Sequence, residues 1–252
     1  MSEWLVLTIA MAAVCAVVLT ITVLKQRRIG EDDDPSETPD VIEYMTMMVG
    51  VVYAIVLGLA IAGVWEARGA AEDTVRTEAQ ALHEVSERVR AYPEATRDRI
   101  RADVDAYVSH LVHQEWPAMA ERGQVTDRGA ELLAKVRADV TDYRPRDDYE
   151  GQNYQPLLDQ VSAADDARNA RADSIEPTLP PVVWFGLITG AVITIGLIFT
   201  LQIRRSGREL LMAAVFSALI AFLLFLVWDF DAPFSRGITT SAEPFTDLFP
   251  RL

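Results

Sequence analysis

The chain has 252 residues, half of them hydrophobic, with a formal net charge of −14, three histidines and one cysteine. This acidic balance lacks the basic footprint that nucleic-acid binding requires, and Cys15 alone cannot make a disulfide framework or a cysteine metal centre within one chain. Charge and apolarity are segregated: residues 66–178 hold 15 Lys+Arg against 24 Asp+Glu, and nearly all the long apolar runs lie outside that stretch.

The first apolar run, residues 4–24, is long enough to cross a hydrocarbon layer of ~30 Å. Its N-terminal flank "MSE" carries no basic residue, Lys25, Arg27 and Arg28 follow it, and no small-residue cleavage site is present. It therefore reads as a retained anchor rather than a secretory signal. The acidic run "EDDDPSETPD" (31–40) lacks the glycine and terminal glutamate spacing of an EF-hand loop and reads as a solvated linker.

A second span covers 44–65 and carries a ladder of small residues, Gly50, Ala54, Gly58 and Ala62, each four positions after the last. On a helix this spacing makes one smooth groove that another backbone can approach. No proline interrupts the chain from Tyr44 to Tyr92, so a continuous helix of ~49 residues, ~70 Å long, is expected, joining the span to the acidic insertion. Gly69 weakens it by only ~1 kcal/mol. Beyond the span, Val75, Ala79, Leu82, Val85, Val89 and Tyr92 recur at threes and fours, the mark of a helix with one buried stripe.

Pro93 ends that helix and suits the first turn of the next. The next one buries Ile100, Val104, Tyr107, Val108, Leu111 and Val112 and reaches "QEWPAM" (114–119). A third, capped by Thr126 or Asp127, uses Ala130, Leu133, Val136 and Val140. After the polar loop "YRPRDDYEGQN" (143–153), a fourth uses Leu157, Leu158, Val161, Ala164 and Ile175. "EPTLPP" (176–181) closes the insertion. No alternating strand pattern appears.

Two further spans follow, 182–203 and 210–228. The third contains Gly186 and Gly190, extended one step by Thr194, and a second small or hydroxylated stripe of Thr189, Gly196 and Thr200. These stripes fit packing within one four-helix subunit, packing between subunits, or a helix lining a narrow path. Trp4, Trp65, Trp184 and Trp228 sit at span ends, as indoles at headgroup level do. The fold expected is all-α: 1–65 with spans one and two, 66–178 as a helical soluble domain, 179–230 with spans three and four, and a tail of 231–252.

The basic residues of the two short connections, Lys25, Arg27 and Arg28 and then Arg204, Arg205 and Arg208, share one side of a four-span protein. The positive-inside rule puts that side in the cytoplasm and the acidic domain outside it. Glu66 and Arg68 then come level with Asp229 and Asp231, either as interfacial ion pairs or as an acidic ring at the mouth of a pore. No charge lies at mid-membrane, which disfavours a proton-coupled carrier.

His110, His113 and Glu115 lie close in sequence, but "HLVHQE" and "HEVSE" (83–87) both lack the H-E-x-x-H arrangement, so no metal is expected and the helix face reads as solvated. With no phosphate-binding glycine loop and no G-x-S-x-G, neither a cofactor nor an enzyme is expected.

"VVYAIVLGLAIAGVWEARGAAEDTVRTEA", "VHQEWPAM", "LPPVVW" and the C-terminal "PF…EPF" resemble the bestrophin-like family of bacterial membrane proteins over roughly 41–248. More distantly, the chain is similar to the bestrophins. That resemblance implies a pentameric ion channel whose second span lines an apolar neck and whose large domain is cytoplasmic, opposite to the side the arginines indicate. "DAPFSRGITT" is less acidic than a bestrophin calcium site. The function expected is a homo-oligomeric membrane channel with span two along the ion path; the alternative is a non-conducting scaffold or sensor whose helical domain binds a protein.

Overall fold

Forty-nine consecutive residues without proline, apolar in the first half and striped in the second, form one helix, α1 (Asp40–Arg88). The computed structural model describes Thr20 and residues 40–201, 207–236 and 240–250. The first expected span, Cys15, Lys25, Arg27, Arg28, the linker up to residue 39, and Arg204 and Arg205 lie outside the described residues.

After a short 3-10 turn (Val89–Ala91) come α2 (Glu94–His110), a π-helical turn (Leu111–Glu115), α3 (Trp116–Arg122), α4 (Asp127–Thr141) and α5 (Asp148–Asp173). They are followed by α6 (Pro181–Leu201), α7 (Gly207–Phe230) and α8 (Glu243–Leu248). The described residues are all-α, without a strand. Among them, three helices, α1, α6 and α7, are long and apolar enough to cross a membrane.

The chain divides into two compact units, Met1–Trp65 with Leu179–Asp231 and Glu66–Thr178 with Ala232–Leu252. In the first, α1 contributes Tyr53, Leu57, Ala60 and Val64 to a core completed by Leu187 and Ala191 of α6 and Ile220, Val227 and Phe230 of α7. Large apolar side chains elsewhere on these helices, including Val52, Leu59, Phe185, Val192, Met212 and Val215, are exposed. Exposed apolar surface on such a scale marks a lipid or partner-facing bundle.

In the second unit the expected α1 stripe from Val75 to Tyr92 is buried throughout, as are Ile100, Val104, Tyr107, Val108 and Leu111. Here α2 packs on α4, and α4 on α5. Thr126 caps α4, its hydroxyl accepting from the Gly129 N–H at 3.1 Å. Gly123, at φ +64°, ends α3 in the left-handed conformation that glycine adopts without a Cβ penalty. Two expectations change. The α4 stripe begins at buried Gly129 rather than Ala130, which is exposed. And α5 starts inside the expected polar loop, because Asp147 caps it, its Oδ1 accepting from Glu150 N–H at 2.8 Å.

Candidate functional site

The ladder on α1 lies on the face that the first unit's core does not use. Ala54, Gly58 and Ala62 are exposed, and a Cβ built on Gly50 or Gly58 meets nothing within 4 Å. The buried face, Tyr53, Leu57, Ala60 and Val64, adjoins the ladder about a quarter-turn around the same helix. On α6 the stripe behaves differently along its length. Gly186 is open, whereas a Cβ on Gly190 would lie 2.5 Å from Tyr53 Cδ2, so the missing side chain there admits the tyrosine ring. Thr194, one turn on, is buried, and its Oγ1 has no hydrogen-bond partner among the described residues.

Of the charges expected at the membrane edge, Asp231 is 1% exposed. Its carboxylate accepts from Leu179 N–H at 2.7 Å and from the Trp184 indole Nε1–H at 3.1 Å. It thus ties the last turn of α7 to the entry of α6, and Trp184 has a partner besides the headgroup level. Asp229 is also buried. In the second unit Glu66 is exposed, while Arg68 is nearly buried and pairs with Glu72 at 3.2 Å.

The densest polar arrangement is one the sequence reading did not single out. Arg171 of α5 is fully buried. Its Nε donates to Glu78 Oε2 at 2.7 Å and its Nη2 to Glu78 Oε1 at 3.2 Å; Nη2 also donates to Glu115 Oε1 at 2.9 Å. Nη1 reaches Met119 Sδ at 2.8 Å. The Tyr107 hydroxyl donates to Glu78. Arg168, one turn earlier, grips both oxygens of Glu115 at 2.5 and 3.1 Å and reaches Thr126 O at 3.0 Å. Thr126 completes the ring, donating to Glu115 Oε2 from its hydroxyl at 2.7 Å and from its N–H at 3.0 Å, with His110 Nε2 2.7 Å from that hydroxyl. Gly129 carries no side chain because one would run into this carboxylate and lie 2.9 Å from Arg168 Nη2.

Burial pushes the Glu115 carboxyl up, but the Arg168 hydrogen bond, the Arg171 charge and the Thr126 bond outweigh it and hold it at about 2. Burial, then the Glu78 charge, raises the Tyr107 hydroxyl well above its usual value. Two carboxylates against two guanidiniums make the cluster neutral, and its oxygens are satisfied by fixed donors. Arg171 lies over the Trp116 ring at 5.9 Å, and Trp116 meets Phe234 and Phe245 edge-on at 5.8 and 6.3 Å.

A family model described as the Bestrophin-like domain matches residues 12–245. The chain belongs to the bestrophin-like family. No curated protein matches it in sequence. A crystal structure of a bacterial bestrophin homolog from Klebsiella pneumoniae, a point mutant, resembles it with a TM-score of 0.68 at 12% identity, over 100% of both chains. Another mutant of that homolog gives 0.67 at 14% identity, over 100% of this chain and 99% of that one. At such identity the likeness establishes the fold alone.

For this bestrophin-like chain, the stretches that carried the resemblance converge on the buried cluster. "DTVRTEA" supplies Glu78, "VHQEWPAM" supplies Glu115, Trp116 and Met119, and "PF…EPF" supplies Phe234 and Phe245. The expectation of a solvated face for His110 and Glu115 is therefore corrected: both are buried, and only His113 of that group is exposed. The physical reason is position and pairing: Glu115 lies four residues after buried Leu111 and continues the same stripe, where Arg168, Arg171 and Thr126 answer its carboxylate, and His110 meets the Thr126 hydroxyl. Arg168 and Arg171, three apart on α5, gave a readable signal as a pair of cations on an otherwise apolar face.

Proposed function

We propose that this bestrophin-like protein is a homo-oligomeric ion channel that crosses the membrane four times, with residues 4–24 as the first span. The small-residue face of α1 would be turned toward the axis or a neighbouring copy. The observation that carries the reading is the uncovered ladder. A smooth face of Gly50, Ala54, Gly58 and Ala62 is left open by the described residues while the adjoining face is filled. In lipid, such faces bring backbones together because lipid tails offer no hydrophobic reward for separation or contact, and apolar constrictions can gate conduction. The resemblance to bestrophins supports five copies. Of the expected mouth charges we assign cation attraction to exposed Glu66, since Asp231 is occupied by Leu179 and Trp184.

Particle images of the purified protein in detergent are expected to show rotational symmetry, and liposomes containing it to pass ions. Gly58→Leu is the discriminating variant. Among the described residues nothing lies within 4 Å of a Cβ built at Gly58, so lost assembly would report on a contact made beyond them. A monodisperse monomer without flux would overturn the proposal, and a symmetric assembly that conducts nothing would favour the scaffold alternative. We further propose that the acidic unit is extracytoplasmic, on the arginines of the two short connections. Reporters fused at residue 120 and at the C-terminus are expected to be active outside the cytoplasm; cytoplasmic activity would reverse the assignment.

A further inference from the structure

Where α2 packs on α4, two carboxyls meet away from the ionic cluster. Asp103 of α2 is 5% exposed, and its Oδ1 accepts from Lys135 Nζ of α4 at 2.6 Å. Asp139, one helical turn beyond Lys135, is partly buried, and its carboxyl interacts with that of Asp103 across the contact. Asp103 Oδ2 and Asp139 Oδ2 are both shut off from solvent, and neither has a hydrogen-bond donor among the described residues. Arg99 Nε lies 3.2 Å from Asp139 Oδ2 as an ion pair.

Of the two inner oxygens, Asp139 Oδ2 has only the Arg99 ion pair and Asp103 Oδ2 has no donor among the described residues, and a buried carboxylate oxygen left so is costly. A divalent metal is disfavoured, because Lys135 and Arg99 already balance the two negative charges. Those cations, however, keep their solvent-facing ends: Lys135 is 61% and Arg99 53% exposed in the side chain. The inner edge of the pair has room for the smallest positive ligand.

We infer that Asp103 and Asp139 form a proton-binding site, one proton bridging their Oδ2 atoms and holding α2 against α4. The surrounding charged groups are Arg99 on α2 and Arg128 and Lys135 on α4; α5, which also packs on α4, contributes Asp165, paired separately with Arg137 of α4. The Asp103 hydrogen bond and then burial push the Asp139 carboxyl up from its usual value, which fits a retained proton. Two like charges left at such a site after the proton departs repel one another, so rising pH loosens the α2–α4 contact. The site is a pH-responsive element that no ion-conduction reading assigns.

The full-length protein in detergent, titrated by infrared spectroscopy, is expected to show a protonated-carboxyl band that persists above the ordinary aspartate range and vanishes as pH rises. Asp103→Asn and Asp139→Asn are each expected to abolish it. Asp139→Asn, whose amide can donate to Asp103, is also expected to remove the decline of the melting temperature that follows as pH rises above the ordinary aspartate range. Lys135→Met keeps both acids and removes one competing cation, so the band's midpoint is expected to move to higher pH. A wild-type protein without the band, a band surviving in either Asn variant, or a midpoint unmoved by Lys135→Met would overturn the inference.

Discussion

A guanidinium without solvent exposure persists only where every donor is met and its charge is answered nearby. Arg171 satisfies that condition through Glu78, Glu115 and Met119. The wider consequence lies in its partners. Arg171→Met would leave Glu78 as a fully buried carboxylate with only the Tyr107 hydroxyl to answer it. Removing one member of such a pair typically costs about 3–5 kcal/mol, whereas replacing both with groups of similar shape can be close to neutral. Chemical denaturation of the detergent-solubilised protein should therefore show a large loss for Arg171→Met. Adding Glu78→Gln to it should restore a good part. Equal losses in the single and double variants would mean that packing around the side chain, and not the stranded charge, sets the cost.

Among the elements, what the sequence disclosed follows the regularity of each helix. The α1 stripe from Val75 to Tyr92, the Thr126 cap and the two apolar helices α6 and α7 were all readable, because 3.6-residue periodicity and capping chemistry are local signals. The π-helical turn was not. A single extra residue between His110 and Trp116 leaves no compositional trace. Nor was the burial of Glu115 readable: it continues the stripe one turn past Leu111, but its charge reads as solvent-facing until Arg168 and Arg171, more than fifty residues away, are placed beside it. Position 129 was similarly opaque: its requirement for glycine comes from a carboxylate fourteen residues earlier in the chain, on a different element. Asp231 was noticed for its charge and its closeness to the span end, but its bonds to Leu179 and Trp184 depend on two helix ends distant in sequence. The tail's Phe234, Phe245 and Phe249 looked like a terminal extension, and in the structure they line the core of the second unit.

For the molecule as a whole, these two polar sites give its stability two opposed pH dependences. The Glu115 carboxyl sits at about 2 in the folded protein against an ordinary 4.5. Its contribution is therefore fully present above the ordinary value and is lost as pH falls through the folded one; the 2.5-unit difference corresponds to about 3 kcal/mol. The Asp139 carboxyl is raised, so its contribution is fully present below its ordinary value of 3.8 and disappears as pH rises through the folded one. Together they predict a melting temperature that climbs out of strong acid and then yields part of the gain toward neutrality. Glu115→Gln separates the two. The amide leaves Arg168 and Arg171 less well matched, so the variant should melt lower at neutral pH, and its melting temperature should fall less steeply than the wild type's between pH about 4.5 and 2. The descending side at higher pH should remain in that variant and vanish in Asp139→Asn. Parallel acid limbs in wild type and Glu115→Gln would show that the buried glutamate is not the group whose protonation undoes the helical unit.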